Sequence, residues 1–209
     1  MKRSKAEMER TRLRLLDAAE WVFSDQGYAA ANLEEIADTA GLSRGAIYWH
    51  FKGKPELLDA VVARAWFPWD QLPIEKSDFD RPPSIQEMAH ELGQGVQRTL
   101  LEPHLRRSAL ILLQGRELRN VSERLLLRLR SMQQRVALYV SLVIEQARER
   151  IASCCDSSAQ AKVVQTFMFG ALSEALMLGR PGEQSLVGQE VERFVLELLL
   201  PVRLPSKTL

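Results

Sequence analysis

Cysteine is nearly absent from this 209-residue sequence: the two present, Cys154 and Cys155, are adjacent. That excludes a disulfide framework and a four-cysteine zinc site, and a reducing, cytoplasmic compartment is the expectation. No basic residue lies closer to them than Arg150, so a redox-sensing role, which needs a lowered thiol pKa, is not favoured. Long apolar runs are missing too. The longest strongly apolar stretch, residues 136–144, is nine residues long and contains Ser141, against roughly 20 for a membrane span. Eight charges among the first fourteen residues exclude the apolar core of a signal peptide there. Net charge is scarce: 28 basic residues against 27 acidic leave +1, which selects no partner. His50, His90 and His104 fall at no metal-ligand spacing. There is no Gly-x-Ser-x-Gly elbow, and Gly93-Gln94-Gly95 sits in a helical pattern without the lysine of a phosphate loop. No enzyme chemistry, metal or cofactor is expected.

Alternating strand patterns and Asn-Gly or Asp-Gly hairpin turns are absent as well. What is present is helical periodicity in a chain that is 46% apolar, an ordinary fraction for a packed protein. Residues 7–26 place Leu15, Leu16, Ala19, Val22 and Phe23 on one face, and Gly27 follows as a stop. Residues 33–40 repeat the pattern. Asn32 with Glu35 predicts a capping box, and Gly41 ends the helix. Ser43 is placed to cap a helix over 44–50, and Pro55 opens another reaching about residue 67. Pro68, Pro73, Pro82 and Pro83 mark a joint. Longer helices are predicted over 84–101, 104–114, 121–151, 158–178 and 188–200. The fold class is all-α, with about nine helices.

Two short helices joined by Gly41-Leu42-Ser43 form a helix-turn-helix, whose second helix enters the DNA major groove. Leu42, Ile47 and Phe51 read as its inner side. Arg44, Gly45, Tyr48 and Trp49 read as its outer side, with His50, Lys52 and Lys54 at its end. Arg44 suits a forked contact to guanine, and Gly45 permits close backbone approach. Tyr48 and His50 suit phosphate oxygens, and the lysines add positive charge at the duplex backbone. Local charge agrees: residues 1–14 carry six basic and two acidic side chains, 15–43 six acidic and no basic, and 44–54 three basic and no acidic.

The run from Thr11-Arg12 through Leu16-Asp17-Ala18-Ala19, Phe23, Gly27-Tyr28 and Leu33-Glu34-Glu35-Ile36-Ala37 continues into Ala40-Gly41-Leu42-Ser43-Arg44-Gly45-Ala46-Ile47-Tyr48-Trp49-His50-Phe51-Lys52-Gly53-Lys54-Pro55-Glu56-Leu57-Leu58. Over about residues 8–65 it resembles the TetR family of transcriptional regulators, and its Tyr-Trp-His-Phe segment resembles the multidrug-efflux repressors of the AcrR type. The resemblance implies an all-helical homodimer. Residues 1–54 would be the helix-turn-helix DNA-binding domain, 55–83 a connecting helix and proline-rich joint, and 84–209 a ligand-binding and dimerisation domain. It implies DNA contacts from Asn32, Ser43, Arg44, Gly45, Tyr48, Trp49, His50, Lys52 and Lys54. Asn32 stands where the family usually has Thr or Ser.

In the C-terminal part, apolar and aromatic residues at helical spacing serve equally as core or as pocket lining. Trp66, Phe67 and Trp69 cluster at the joint. Met88, Leu92 and Val96 recur on the next helix, and Leu113, Met132, Tyr139, Phe167 and Met168 supply further adaptable surface. Glu117 is either an inward carboxylate for cationic drugs, as the resemblance implies, or a surface partner of Arg116, Arg119 or Arg124. Two stripes, Val164, Met168, Ala171, Leu172 and Ala175, and Val191, Phe194, Val195, Leu198 and Leu199, read as a dimer interface. The expected partners are near-palindromic double-stranded DNA, a small lipophilic or cationic ligand and a second copy of the chain, with no membrane. The expected function is a ligand-responsive repressor of a multidrug efflux operon. An activator or ligand-independent regulator, or a helical ligand-binding adaptor without DNA binding, remains open.

Overall fold

A computed structural model of the chain describes residues 5–113, 122–148, 156–179, 182 and 184–200. Glu117, Cys154 and Cys155 lie outside the described residues. The described elements are the helices α1 (Lys5–Ala30), α2 (Leu33–Thr39), α3 (Arg44–His50), α4 (Lys54–Ala63), α5 (Ile85–Leu101), α6 (Pro103–Leu113), α7 (Glu123–Arg148), α8 (Ser157–Leu178) and α9 (Gln184–Leu199). Two 3-10 turns, Pro68–Gln71 and Lys76–Asp78, lie between α4 and α5. Among the described residues there is no strand. The fold is all-α, as the periodicity predicts.

Packing divides the chain into two compact units. Unit 1 comprises Met1–Trp66 and Glu102–Arg130, and unit 2 comprises Phe67–Leu101 and Ser131–Leu209. The boundaries inferred from sequence divide the chain by role. The units divide it by contact, and they join α6 and the first two turns of α7 to the N-terminal helices.

In unit 1 the stripe Leu15, Leu16, Ala19, Val22 and Phe23 is buried, together with Ile36 and Ala37 of α2, Ile47 of α3 and Leu57, Leu58 and Val61 of α4. Gly27 interrupts α1 with φ 83 and ψ 162. A side chain is strained in that region, so glycine lets the chain turn before a last helical turn ends at Ala30. α4 stops at Ala63, earlier than predicted, with Arg64 as its C-cap.

In unit 2, α5 and α9 cross where Gly93 faces Gly188. A Cβ on Gly93 would lie 2.5 Å from the Gly188 carbonyl oxygen, and one on Gly188 would lie 2.5 Å from the Gly93 oxygen. Gly95 brings α5 close to the first 3-10 turn, where a Cβ would sit 3.3 Å from Pro68 Cβ. The Gly93-Gln94-Gly95 segment is thus a packing device. Ser84 and Glu87 close a reciprocal cap on α5, the Ser84 N–H donating to Glu87 at 2.7 Å and the Glu87 N–H to Ser84 Oγ at 3.1 Å. α8 is long and apolar enough to cross a membrane, with a window mean hydropathy of 1.2, although polar residues interrupt its apolar runs. Its residues Ala161, Val164, Met168, Leu172 and Ala175 are buried at helical spacing inside unit 2, the pattern of a core helix.

Candidate nucleic-acid interface

The α2–α3 pair is held by short polar contacts at each end. Asn32 Oδ1 accepts the Glu35 N–H at 2.8 Å, capping α2. The Glu35 carboxylate is turned to the Gln26 amide at 2.5 Å, which makes the predicted box one-sided. At the other end Arg14 Nη2 donates to the Ala40 carbonyl at 2.5 Å and to Gly41 at 3.4 Å. Gly41 has φ 62, and a Cβ there would press on the Arg14 guanidinium at 3.1 Å. Ser43 occupies the N-cap position of α3, but its hydroxyl makes no capping bond. The expected hydroxyl cap is replaced by the serine's backbone carbonyl, which accepts the Ala46 N–H at 2.9 Å.

α3 buries Ala46 and Ile47 and turns Arg44, Gly45, Tyr48 and Trp49 outward. Trp49 is 87% exposed, an unfavourable state for an indole with no partner. Arg44 Nη2 donates to the Tyr48 hydroxyl at 3.5 Å, and this bond raises the guanidinium pKa further. At Gly45 a Cβ would meet no atom nearer than Ser43 Oγ at 3.8 Å. Among the described residues nothing demands glycine there, so its use is outward, toward whatever approaches α3. His50 is half-buried, its ring centroid 6.3 Å from that of Phe51, and the Lys52 side chain is exposed.

Lys54 stands apart from the other basic residues. Its ammonium donates to the carbonyls of Tyr28 and Ala31 at 2.7 Å each and of Ala29 at 3.4 Å. It also lies 4.3 Å from the Tyr28 ring centroid. These are the free carbonyls at the end of α1, where a cation complements the helix dipole. Burial lowers the Lys54 pKa, and burial followed by the Asp59 charge raises that of Tyr28. Lys54 is therefore engaged inside the fold, unlike the exposed Lys52. A readable signal exists: lysine at the first position of a helix opposes the dipole and needs support from elsewhere.

A second anchor is Glu20, whose side chain is 1% exposed. Its carboxylate accepts Arg64 Nη2 at 2.6 Å and Arg107 Nε at 2.8 Å, and it pairs with His104 Nδ1. Arg64 also reaches Asp17 at 2.6 Å. Glu20 ties α1, the end of α4 and α6 together. It falls four residues after the buried Leu16, on the apolar stripe, so its need for partners was legible in the sequence.

Residues 15–61 match the family model for bacterial regulatory proteins of the tetR family. Over that segment the chain is of the tetR type. The transcriptional repressor BepR of Brucella suis is 28% identical over 99% of this chain and 100% of its own length. The regulator TtgR of Pseudomonas putida is 35% identical over 107 residues, about half of each protein. Among solved structures, SmeT, the repressor of the Stenotrophomonas maltophilia multidrug efflux pump SmeDEF, has a TM-score of 0.68 at 25% identity, covering 89% of this chain and 88% of that one. A SmeT–triclosan complex has a TM-score of 0.72 at 25% identity, covering 94% and 98%.

The residues singled out as pocket lining separate. Trp66 is 63% exposed and belongs to unit 1. Phe67 and Trp69 are buried in unit 2 and stack at 5.6 Å. The expected cluster of three is therefore a pair, because the chain leaves α4 in extended form and Pro68 starts a separate turn. Met88, Leu92, Val96, Met132, Tyr139 and Met168 are buried in unit 2, Phe167 is half-buried, and Leu113, half-buried, belongs to unit 1. Trp69 also meets Phe169 at 5.6 Å, and its buried indole nitrogen has no hydrogen-bond partner among the described residues. Tyr139 stacks on Phe79 and donates its hydroxyl to Glu91. Burial, then this bond and the Glu91 charge, hold the Tyr139 pKa well above the phenol range. Glu91 was missed because its position on α5 reads as solvent-facing.

The two stripes read as a dimer interface also divide. Val164, Met168, Leu172, Ala175, Val191 and Val195 are buried within the single chain and leave almost no surface to a second copy. Ala171, Phe194 and Leu199 are half-buried, and Leu198 is exposed. The Phe167 and Phe194 rings stack at 3.8 Å, and a groove of about 670 Å³ runs past Gly170, Glu174, Leu178, Leu186 and Val187.

Proposed function

We propose that this chain is a repressor of a multidrug efflux operon that binds a near-palindromic operator as a homodimer and leaves it when a small lipophilic or cationic ligand occupies unit 2. The observation that carries the reading is the outward face of α3. It presents Arg44, Tyr48 and an 87%-exposed Trp49 around a glycine that no internal contact requires. Such a surface suits a major groove, with Arg44 reading bases and Asn32, Ser43, His50 and Lys52 near phosphates. The end-to-end relation to a repressor, BepR, and the likeness to SmeT support repression and the efflux setting. SmeT's complex with triclosan supports a lipophilic ligand.

In this reading residues 1–54 bind DNA, 55–83 connect, and 84–209 bind ligand and dimerise, in the cytoplasm and without catalysis. The half-exposed faces of α8 and α9 are what a second copy would cover. A twofold dimer sets two reading helices about 34–36 Å apart. The ligand acts by binding more tightly to the state with low DNA affinity, and it shifts the equilibrium by no more than that difference.

The test is a titration of the purified protein against labelled DNA from upstream of its own gene, with and without lipophilic cationic drugs. Tight, salt-sensitive binding that a drug releases is expected. Binding that no drug releases would keep the regulator and discard drug response. Failure to bind this DNA or any site in a genome-wide search would leave the adaptor.

A further inference from the structure

Unit 1 contains a cavity of about 360 Å³ between α1, the end of α3, α4 and the start of α7. That volume suits a small organic molecule. Phe51, Ala60 and Leu125 form an apolar wall, and charged side chains stand around it. The two carboxylates among these are already engaged. Glu56 accepts the Lys52 N–H at 2.7 Å. Asp59 accepts the Ser122 hydroxyl and lies 3.7 Å from Arg124. Arg12 is different. Its guanidinium lies 5.3 Å from the Phe51 ring centroid, and among the described residues no carboxylate pairs with it. The cavity thus combines a flat apolar wall with a cation whose donors are unused by the described chain.

We propose that this cavity is a second, separate binding site, for a small aromatic carboxylate. The ring system lies against Phe51, Ala60 and Leu125, and the carboxylate accepts the forked donors of Arg12, with Arg124 adding positive charge at the mouth. The occupant would touch His50 and Phe51, where α3 ends. An effect on DNA affinity follows only under the reading proposed above, whereas the binding itself does not depend on it.

The test is calorimetric titration of the full-length protein with 2-naphthoate and with its neutral isostere 2-naphthamide. Naphthoate is expected to bind at least about tenfold more tightly than the amide, since a charge-assisted bond is involved. Arg12→Gln should remove that preference. Ala60→Leu, which fills the wall and leaves Arg12 in place, should weaken both compounds. Equal affinity for the acid and the amide would overturn the proposal, and so would binding left unchanged by both variants, which would put the ligand elsewhere. The proposal also fails if Arg12→Gln spares naphthoate binding but lowers DNA affinity and reduces its salt slope by about one, because Arg12 would then serve a DNA phosphate.

Discussion

In unit 1 the apolar core is fastened by long cationic side chains seated on helix-end carbonyls or on a buried carboxylate: Arg14 on α2, Lys54 on α1, Arg64 and Arg107 on Glu20. In unit 2 glycine backbones, stacked rings and aliphatic side chains predominate, as with Gly93 on Gly188, Phe67 on Trp69 and Phe79 on Tyr139, and the Tyr139–Glu91 bond is a polar exception. The first kind of joint is directional and tolerates little drift. The second depends on fit and has no preferred polar geometry. Under the proposed function, a surface that presents three side chains to a groove gains from the first, and a compartment that adapts to varied ligands gains from the second.

The largest effect is expected where the directional scheme is most concentrated. Glu20→Gln leaves two arginines and a histidine facing a neutral group. Removing one partner of a buried ion cluster costs about 3–5 kcal/mol, and the partial exposure of Arg64 and Arg107 places this case at the lower end, about 3 kcal/mol. The melting midpoint should fall by about 6–12 °C. A shift within about 2 °C would show that Glu20 does not fasten unit 1.

Arg44 and Lys54 sharpen the contrast within unit 1 itself. Arg44→Ala should relax base preference at one operator position by about 1–3 kcal/mol, with the melting midpoint unchanged. Lys54→Met should lower the midpoint and weaken all DNA sequences alike, because it releases the end of α1. It should leave the salt slope intact, whereas loss of a true phosphate contact lowers that slope by about one. A reduced slope in Lys54→Met would return Lys54 to the duplex backbone.

Glycine tests the other side of the comparison. Gly93→Ala gains about 1 kcal/mol of helix propensity but drives a methyl group against the Gly188 carbonyl, and overpacking costs about 1–3 kcal/mol. A net loss of about 1 kcal/mol is expected in thermal unfolding. Gly170→Ala meets no atom within 4 Å among the described residues, so alone it should gain about 0.5–1 kcal/mol. Under the proposed dimer it should instead loosen self-association by about tenfold in sedimentation equilibrium. Tighter or equal association would take Gly170 out of the interface.

The helices and the outward face of α3 were legible because they rest on local rules: apolar spacing, Asn32 and Gly41 as punctuation, basic charge bracketing residues 44–54. The polar joints were less so. Nothing in the spacing of Lys54 says that α1 ends beneath it, and nothing near Glu91 says that Tyr139 lies against it. Those are contacts between residues 23 to 48 positions apart, set by how helices cross. The stripes on α8 and α9 are used in part within the single chain. Periodicity finds an apolar face, but it cannot say whether the same chain or another one covers it, and here Val164, Val191 and Val195 face inward.

The smallest effect concerns the cap of α5, which is polar and local although it lies in unit 2. Arg81 and Ser84 hold the Glu87 carboxyl down to about 2. Its folded pKa lies below the unfolded one, so its contribution is full above about pH 4.5. It is lost as pH falls from there through about 2. Glu87→Gln should therefore be slightly less stable than the parent at pH 6, and the difference should vanish near pH 2. Amide exchange at Glu87 and Met88, followed from pH 6 down, reads the loss directly. Because Glu87 is solvated, the step is small and should shrink further in high salt. A parent–variant difference already absent at pH 6 would mean that the cap acts through the hydroxyl of Ser84 and not through the charge.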